Sequence, residues 1–175
     1  LRERRETLGS GAPERGNAAK QLARRLAARR VFVYAGSERV GAVATRFRQQ
    51  LNENAKMLGH SATAPELNHN EIVGWEVPGD AWRDTAVLVL RDPEDRPEVA
   101  QRLVLTGEYA ARQGAEVHTI ASPDGPRLAR MAAQTQFADY LSLYLAVARG
   151  VDPTPIASID EFKRRLSESA AARER

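Results

Sequence analysis

At 175 residues, with 42% of them hydrophobic, the chain is long enough for one ordinary domain with a proper core and too apolar for wholesale disorder. It has no cysteine, which excludes disulfides, thiolate catalysis and cysteine-based zinc sites and is compatible with a reducing, cytoplasmic setting. The net charge is only +3, and the densest basic runs ("LRERR", "LARRLAARR", "FKRRL") sit at helical spacing beside acids or alanines, so they read as solvated helix faces and no nucleic-acid partner is expected.

No apolar run approaches the ~18–20 residues of a membrane span, and no apolar signal core follows the arginine-rich start. Residues 1–16, rich in Gly, Ser and Pro, read as a linker or a loosely attached helix end. Asn17 is placed to cap a helix running to about Arg29, with Leu22 and Leu26 on one face. "VFVYAG" at 31–36 is a short apolar run of buried-strand type. The spacing of Val40, Val43, Phe47 and Leu51 predicts a helix over 38–57. "HSATAPE" at 60–66 is a more polar strand stopped by Pro65, and "HNEIVGWEV" a short helix or turn.

"TAVLVLR" at 85–91 is the clearest buried strand. An amphipathic helix follows, with Pro97 in its first turn and Gly114 at its end. A strand at 116–122 places His118 in the core or at an edge, and a long apolar helix spans about 127–148. Ser158 is placed to cap a last helix with Asp160 and Glu161 in its first turn, and residues 169–175 read as a frayed tail. Strand–helix alternation with near-continuous apolar strands predicts an α/β fold: a parallel, doubly wound sheet of four strands with helices on both faces.

The densest polar chemistry lies between Leu51 and Trp75, "LNENAKMLGHSATAPELNHNEIVGW". In an open parallel sheet ligands bind outside the carboxyl ends of the strands, which is where this reading puts the cluster. Glu53 is either an exposed helical glutamate, paired with Lys56 or Lys20, or a general base oriented by neighbouring amides such as Gln50 and Asn54. His69 is either a structural loop histidine or a proton shuttle. Ser37, in "YAGS" before a helix, is placed to help hold an anion on helix-end amides. Glu66, His69 and Glu71 match no defensible metal spacing, and "GSERVG" fails the dinucleotide fingerprint.

At "RFRQQLNENAK", "PELNHNEIVGW" and "GVDPTPIASIDEFKRRL" the chain resembles the C-terminal half of bacterial and archaeal bifunctional phosphoglucose/phosphomannose isomerases, proteins built from two sugar-isomerase (SIS) domains. The likeness runs from about Val31 to Leu166, and the first two motifs are the specific ones. It implies an SIS-type three-layer α-β-α sandwich over residues 17–168. It also implies isomerisation of glucose or mannose 6-phosphate to fructose 6-phosphate, with no cofactor. By resemblance, Glu53 is the base that moves a proton between C2 and C1 through a cis-enediol, and His69 helps open the sugar ring, reaching the site from the partner subunit of a homodimer.

Two departures qualify the resemblance. The family has a further basic residue, usually lysine, near the "GVDP" turn; here Arg149 stands close by, able to bind but not readily to exchange protons. The family's phosphate-gripping loop belongs to the N-terminal SIS domain, which this sequence lacks, and the chain starts with Leu rather than Met. The expectation is therefore a piece of a longer protein, inactive or nearly so by itself. A non-catalytic phosphosugar-binding module is the alternative that the same resemblance allows.

Overall fold

In a computed structural model that describes residues 1–77 and 80–173, four strands form one parallel sheet. β1 (Arg30–Gly36), β2 (His60–Ala64), β3 (Thr85–Arg91) and β4 (Glu116–Ala121) lie in the order β2-β1-β3-β4. β1 and β3 are central, and a parallel strand buried on both faces needs an almost continuous apolar sequence, which "RVFVYAG" and "TAVLVLR" supply. Their side chains alternate strictly between two cores. Val31, Val33 and Ala35 join Ala86, Leu88 and Leu90 on one face, while Phe32 and Tyr34 join Val87 and Val89 on the other. The edge strands β2 and β4 are correspondingly more polar, and His118 stands on the edge strand β4 beside Glu116.

α1 (Arg2–Leu8), α2 (Ala18–Leu26), α3 (Gly41–Glu53) and α6 (Arg127–Ala148) cover the first face. The second is covered by α5 (Pro97–Arg112), by a single 3-10 turn at Glu66–Asn68 and by the four-residue α4 (Glu71–Gly74) beside it. This is the three-layer α/β/α arrangement expected. No helix among the described residues is long and apolar enough to cross a membrane.

The structure departs from the sequence reading at both ends. The segment read as a linker or loosely attached helix end holds α1, and it is not loose: Leu8 is buried in the core while its carbonyl accepts the Tyr144 hydroxyl. Asn17 does cap α2, accepting the Lys20 amide at 3.1 Å, worth about 1 kcal/mol, and its own amide nitrogen donates to the Gly9 carbonyl at 3.4 Å. A chain with so many Gly, Ser and Pro residues is still held down, because a side-chain cap ties it from below. At the other end α7 (Ala157–Arg173) starts one residue before Ser158, so Ser158 lies in the first turn rather than at the cap, and the stretch read as a frayed tail stays helical to Arg173. Residues 174–175 lie outside the described residues.

Candidate functional site

β1 and β2 are parallel neighbours, so α3, which joins them, must run from the carboxyl edge of the sheet back to its amino edge. Thirteen residues make that run roughly 20 Å. Glu53 is the last residue of α3, so it stands at the amino edge, on the side of α2 and α6. The sequence reading placed the whole polar cluster at the carboxyl ends of the strands. For Glu53 that is corrected here: a crossover helix returns its last residue to the opposite edge. His69 does follow the carboxyl end of β2, but it ends the 3-10 turn that lies over the other face, where Leu67 is buried.

Each motif has the same internal division of labour. Around Glu53 the amides are tied to the scaffold. Asn52 Oδ1 accepts the Gly59 amide at 2.9 Å, Asn54 Nδ2 donates to Ser142 Oγ at 2.8 Å, and Gln50 donates to the Asp139 carboxylate. The Glu53 side chain is exposed and has no hydrogen-bond partner among the described residues. Lys56, one of the two partners weighed for it, instead donates to the Glu53 backbone carbonyl at 2.7 Å. Lys20 is engaged with carbonyls near α1. Around His69 the pattern repeats. Asn68 Nδ2 donates to Thr106 Oγ1 at 2.7 Å, Asn70 Oδ1 caps α4, and Leu67 anchors the turn in the core. The His69 ring is exposed and has no partner among the described residues.

Glu71 closes the second motif. It acts as a tether: its carboxylate accepts the buried Tyr34 hydroxyl on one oxygen and lies 2.9 Å from His60 Nε2 on the other. Trp75 Nε1 donates to the same hydroxyl at 3.1 Å. Burial, reinforced by the Glu71 carboxylate, pushes the Tyr34 hydroxyl well above its ordinary range, so it is a permanent donor. A polar atom in the middle of a buried strand requires a partner, and that requirement was the available sign that "VFVYAG" and "HNE" touch.

Lys56 is the residue the sequence reading missed. Its φ is +50°, a left-handed position just past the end of α3 where glycine is the undemanding choice. The side chain explains the lysine: Nζ also donates to the carbonyls of Pro153 at 3.1 Å and Pro155 at 2.7 Å, clamping the turn before α7 against the end of α3. Arg149 lies on the same side, and its guanidinium donates to the Ala55 carbonyl at 3.1 Å and the Ala27 carbonyl at 2.8 Å, bracing two helix ends.

The carboxyl edge between β1 and β3 is filled by the protein's own carboxyl groups. The Ser37 amide is taken by the Ala64 carbonyl at 3.1 Å. Asp95 packs so tightly against Gly36 that a Cβ there would meet its Oδ1 at 2.9 Å. Burial raises the Asp95 carboxyl above the usual carboxylate range. Next to it the Arg130 guanidinium grips Asp92 with Nε at 2.9 Å and Nη2 at 3.0 Å. Burial opposes ionisation of Asp92, but the hydrogen bonds and charge of Arg130 hold it below its ordinary range. This crevice is occupied, which leaves Ser37 only its exposed hydroxyl to offer a ligand. A polar cleft of about 340 Å³ does run along the free edge of β2, between Gly41 and Thr45 on one side and Glu66 and Glu71 on the other. Neither Glu53 nor His69 lines it.

Residues 15–166 match the family model described as the bacterial phospho-glucose isomerase C-terminal SIS domain. A bifunctional phosphoglucose/phosphomannose isomerase of Caldicellulosiruptor bescii is 36% identical over 168 residues, which make up 96% of this chain and 50% of that protein. One of the same name from Aquifex aeolicus is 27% identical over 97% of this chain and 52% of its own length. A solved structure described as a glucose-6-phosphate isomerase like protein from Thermus thermophilus superposes with a TM-score of 0.71 at 25% identity, over 86% of this chain and 50% of the other. The chain thus spans about half the length of the curated relatives it matches.

Proposed function

Because the chain belongs to the bacterial phospho-glucose isomerase C-terminal SIS domain family, we propose that it carries the base and the ring-opening histidine of an aldose–ketose isomerase acting on hexose 6-phosphates. The substrates are glucose 6-phosphate, mannose 6-phosphate or both, interconverted with fructose 6-phosphate. His69 assists opening of the ring. The Glu53 carboxylate then takes the proton from C2; the C–H electron pair closes the C1–C2 double bond as the C1 carbonyl π bond opens and O1 takes up a proton, giving a cis-enediol; O2 then loses its proton to become the carbonyl as the C1–C2 pair takes the returning proton at C1. C1 is reduced as C2 is oxidised, so the redox balance is internal. The base must stand within ~3 Å of both carbons, which requires a carboxylate not engaged elsewhere.

The observation that carries this reading is the shared pattern of the two motifs: every asparagine is committed to the scaffold, while the side chains of Glu53 and His69 are exposed and have no hydrogen-bond partner among the described residues. Their separation across the sheet supports a site made from two copies of the protein, with Glu53 from one and His69 from the other. Arg149 and Gln50 hold the end of α3 in place and flank the same substrate, and the Ser37 hydroxyl is available to a sugar oxygen at the carboxyl edge. The phosphate is held by the domain that precedes this one in the relatives.

A coupled assay on the full-length protein with fructose 6-phosphate, reading glucose 6-phosphate and mannose 6-phosphate separately, tests the proposal. Glu53→Gln is expected to lower turnover by ~10²-fold or more while leaving sugar-phosphate binding in place. Binding without turnover in the unaltered protein would replace the isomerase reading with that of a phosphosugar-binding module.

A further inference from the structure

A cavity of about 510 Å³ lies between α1, α2, α6 and the outer edge of β4. That size is ordinary for a small-molecule site, and neither Glu53 nor His69 lines it. Its wall has two kinds of surface. Leu8, Leu22, Ile120 and Phe137 make an apolar side, and Arg4 and Arg25 make a basic one. Among the described residues no aspartate or glutamate lines it.

Arg4 is the unsettled group. It is half-buried, and its guanidinium has no ion-pair partner among the described residues. Its Nε is buried with no hydrogen-bond partner, and the bond from Nη2 to the Ala133 carbonyl is long at 3.5 Å. A guanidinium partly withdrawn from water and left without an anion is costly, and a carboxylate that pairs with it removes the cost. The Glu116 carboxylate, beside Arg25, is already taken. It accepts Arg25 Nε at 2.6 Å, lies 2.9 Å from Arg29 Nε and 2.8 Å from His118 Nε2.

The sheet edge adds donors. β4 has no strand on its outer side, so alternate residues turn their N–H and C=O groups outward. The Ser122 amide faces inward, donating to the Arg91 carbonyl at 2.9 Å, which makes Thr119 and Ala121 outward residues, and both line the cavity. α1, which brings Arg4 and Leu8, precedes residue 15, where the family match begins, so the cavity is built partly from chain that the match does not include.

We propose that this cavity is a binding site for a monocarboxylate with a compact apolar body. The planar carboxylate seats on the fork of N–H donors that Arg4 offers, with the outward amides of β4 beside it. The apolar body packs against Leu22, Ile120 and Phe137, where burial of hydrocarbon adds affinity. A phosphate fits worse: a single unpaired guanidinium leaves most of its oxygens without donors, and the hydrocarbon side of the wall offers it nothing. A bound ligand bridges α1 to α2 and β4, so it also fastens α1 to the domain. The site does not rest on the isomerase reading.

The test is calorimetric titration of the full-length protein with sodium phenylacetate, beside 2-phenylacetamide, which has the same shape without the charge, and inorganic phosphate. Phenylacetate is expected to bind with a dissociation constant on the order of 1 mM, within what ~10 heavy atoms can supply. The amide and the phosphate are expected to bind ~10-fold or more weakly, and Arg4→Gln to weaken phenylacetate by the same factor. Gln21→Trp is the second variant: Gln21 is exposed and lines the cavity from α2, so an indole there takes up the space the ligand needs. Circular dichroism shows which variants are folded, and each folded variant is expected to lose binding. Phenylacetate that gives no heat of binding overturns the site, as does binding that a folded variant leaves unchanged. Phenylacetamide binding as tightly as phenylacetate removes the charge from recognition and overturns it too. Phosphate binding more tightly than phenylacetate overturns the carboxylate assignment.

Discussion

Glu53 and His69 lie on opposite faces of the sheet and towards opposite edges of it, with β2 between them, although only fifteen residues separate them in sequence. A crossover helix and the strand that follows it form a hairpin of elements whose ends point apart, so nearness in sequence becomes distance in space.

That relationship predicts complementation. Glu53→Gln and His69→Asn are each expected to abolish most turnover of the full-length protein. Mixed and allowed to exchange subunits, they should recover about a quarter of the original activity, because half of the dimers are mixed and each of those has one intact site. Rate measurement after mixing decides it; no recovery means that Glu53 and His69 act within one copy or do not act together.

Lys56 predicts an inverted substitution pattern. At φ +50° a glycine relieves the backbone that alanine does not, so Lys56→Gly should be about 1 kcal/mol more stable to denaturant than Lys56→Ala. Both variants lose the clamp on Pro153 and Pro155, so amide exchange should quicken in the turn that precedes α7. Equal stability of the two would show that the left-handed backbone does not matter there.

Tyr34→Phe removes the donor that Glu71 accepts and the acceptor that Trp75 uses, inside a core where Tyr34 is fully buried. The expected loss is ~1–3 kcal/mol by urea denaturation. With the tether gone, amide exchange should quicken in residues 66–71 more than in the helices of the other face. Uniform protection would mean that Leu67 and Asn68 hold the His69 loop without it.

The carboxyl edge predicts a pH dependence with two signs. Asp92 is held below its ordinary range by Arg130, so its contribution is complete above about pH 4, where an unfolded aspartate is ionised, and is lost as pH falls through the lower folded value. Arg130→Ala removes that contribution, so the stability gap between variant and parent should be wide at pH 7 and narrow below about pH 4. Asp95 has the opposite shift: its carboxyl is raised, and ionisation at neutral pH opposes folding. Asp95→Asn should therefore stabilise at pH 7, with the gain disappearing as pH falls below about 4. Thermal melts across pH read both; a gap independent of pH in either variant refutes the assignment.

Much of the fold is legible in the order of residues alone. The four strands, their parallel order of burial and the helices between them follow from apolar runs and helical spacing, because a strand buried on both faces and a helix buried on one leave different periodicities. The "NENAK" and "NHNE" motifs stood out because asparagine and histidine are costly to concentrate in a fold without a use for them. Tertiary structure alone decided how those motifs are used. Which asparagine side chains are tied, that Lys56 reaches residues almost a hundred positions later, and that α7 stands away from the body depend on contacts between distant segments. Composition misjudged how firmly residues 1–16 are held, because whether a glycine-rich segment is held down depends on the neighbour it meets, and local sequence does not carry the neighbour; the last helix was legible, and only its final turns run further than read. The separation of Glu53 from His69 is a matter of chain direction, since a parallel sheet sends each crossover back across its full height before the next strand begins.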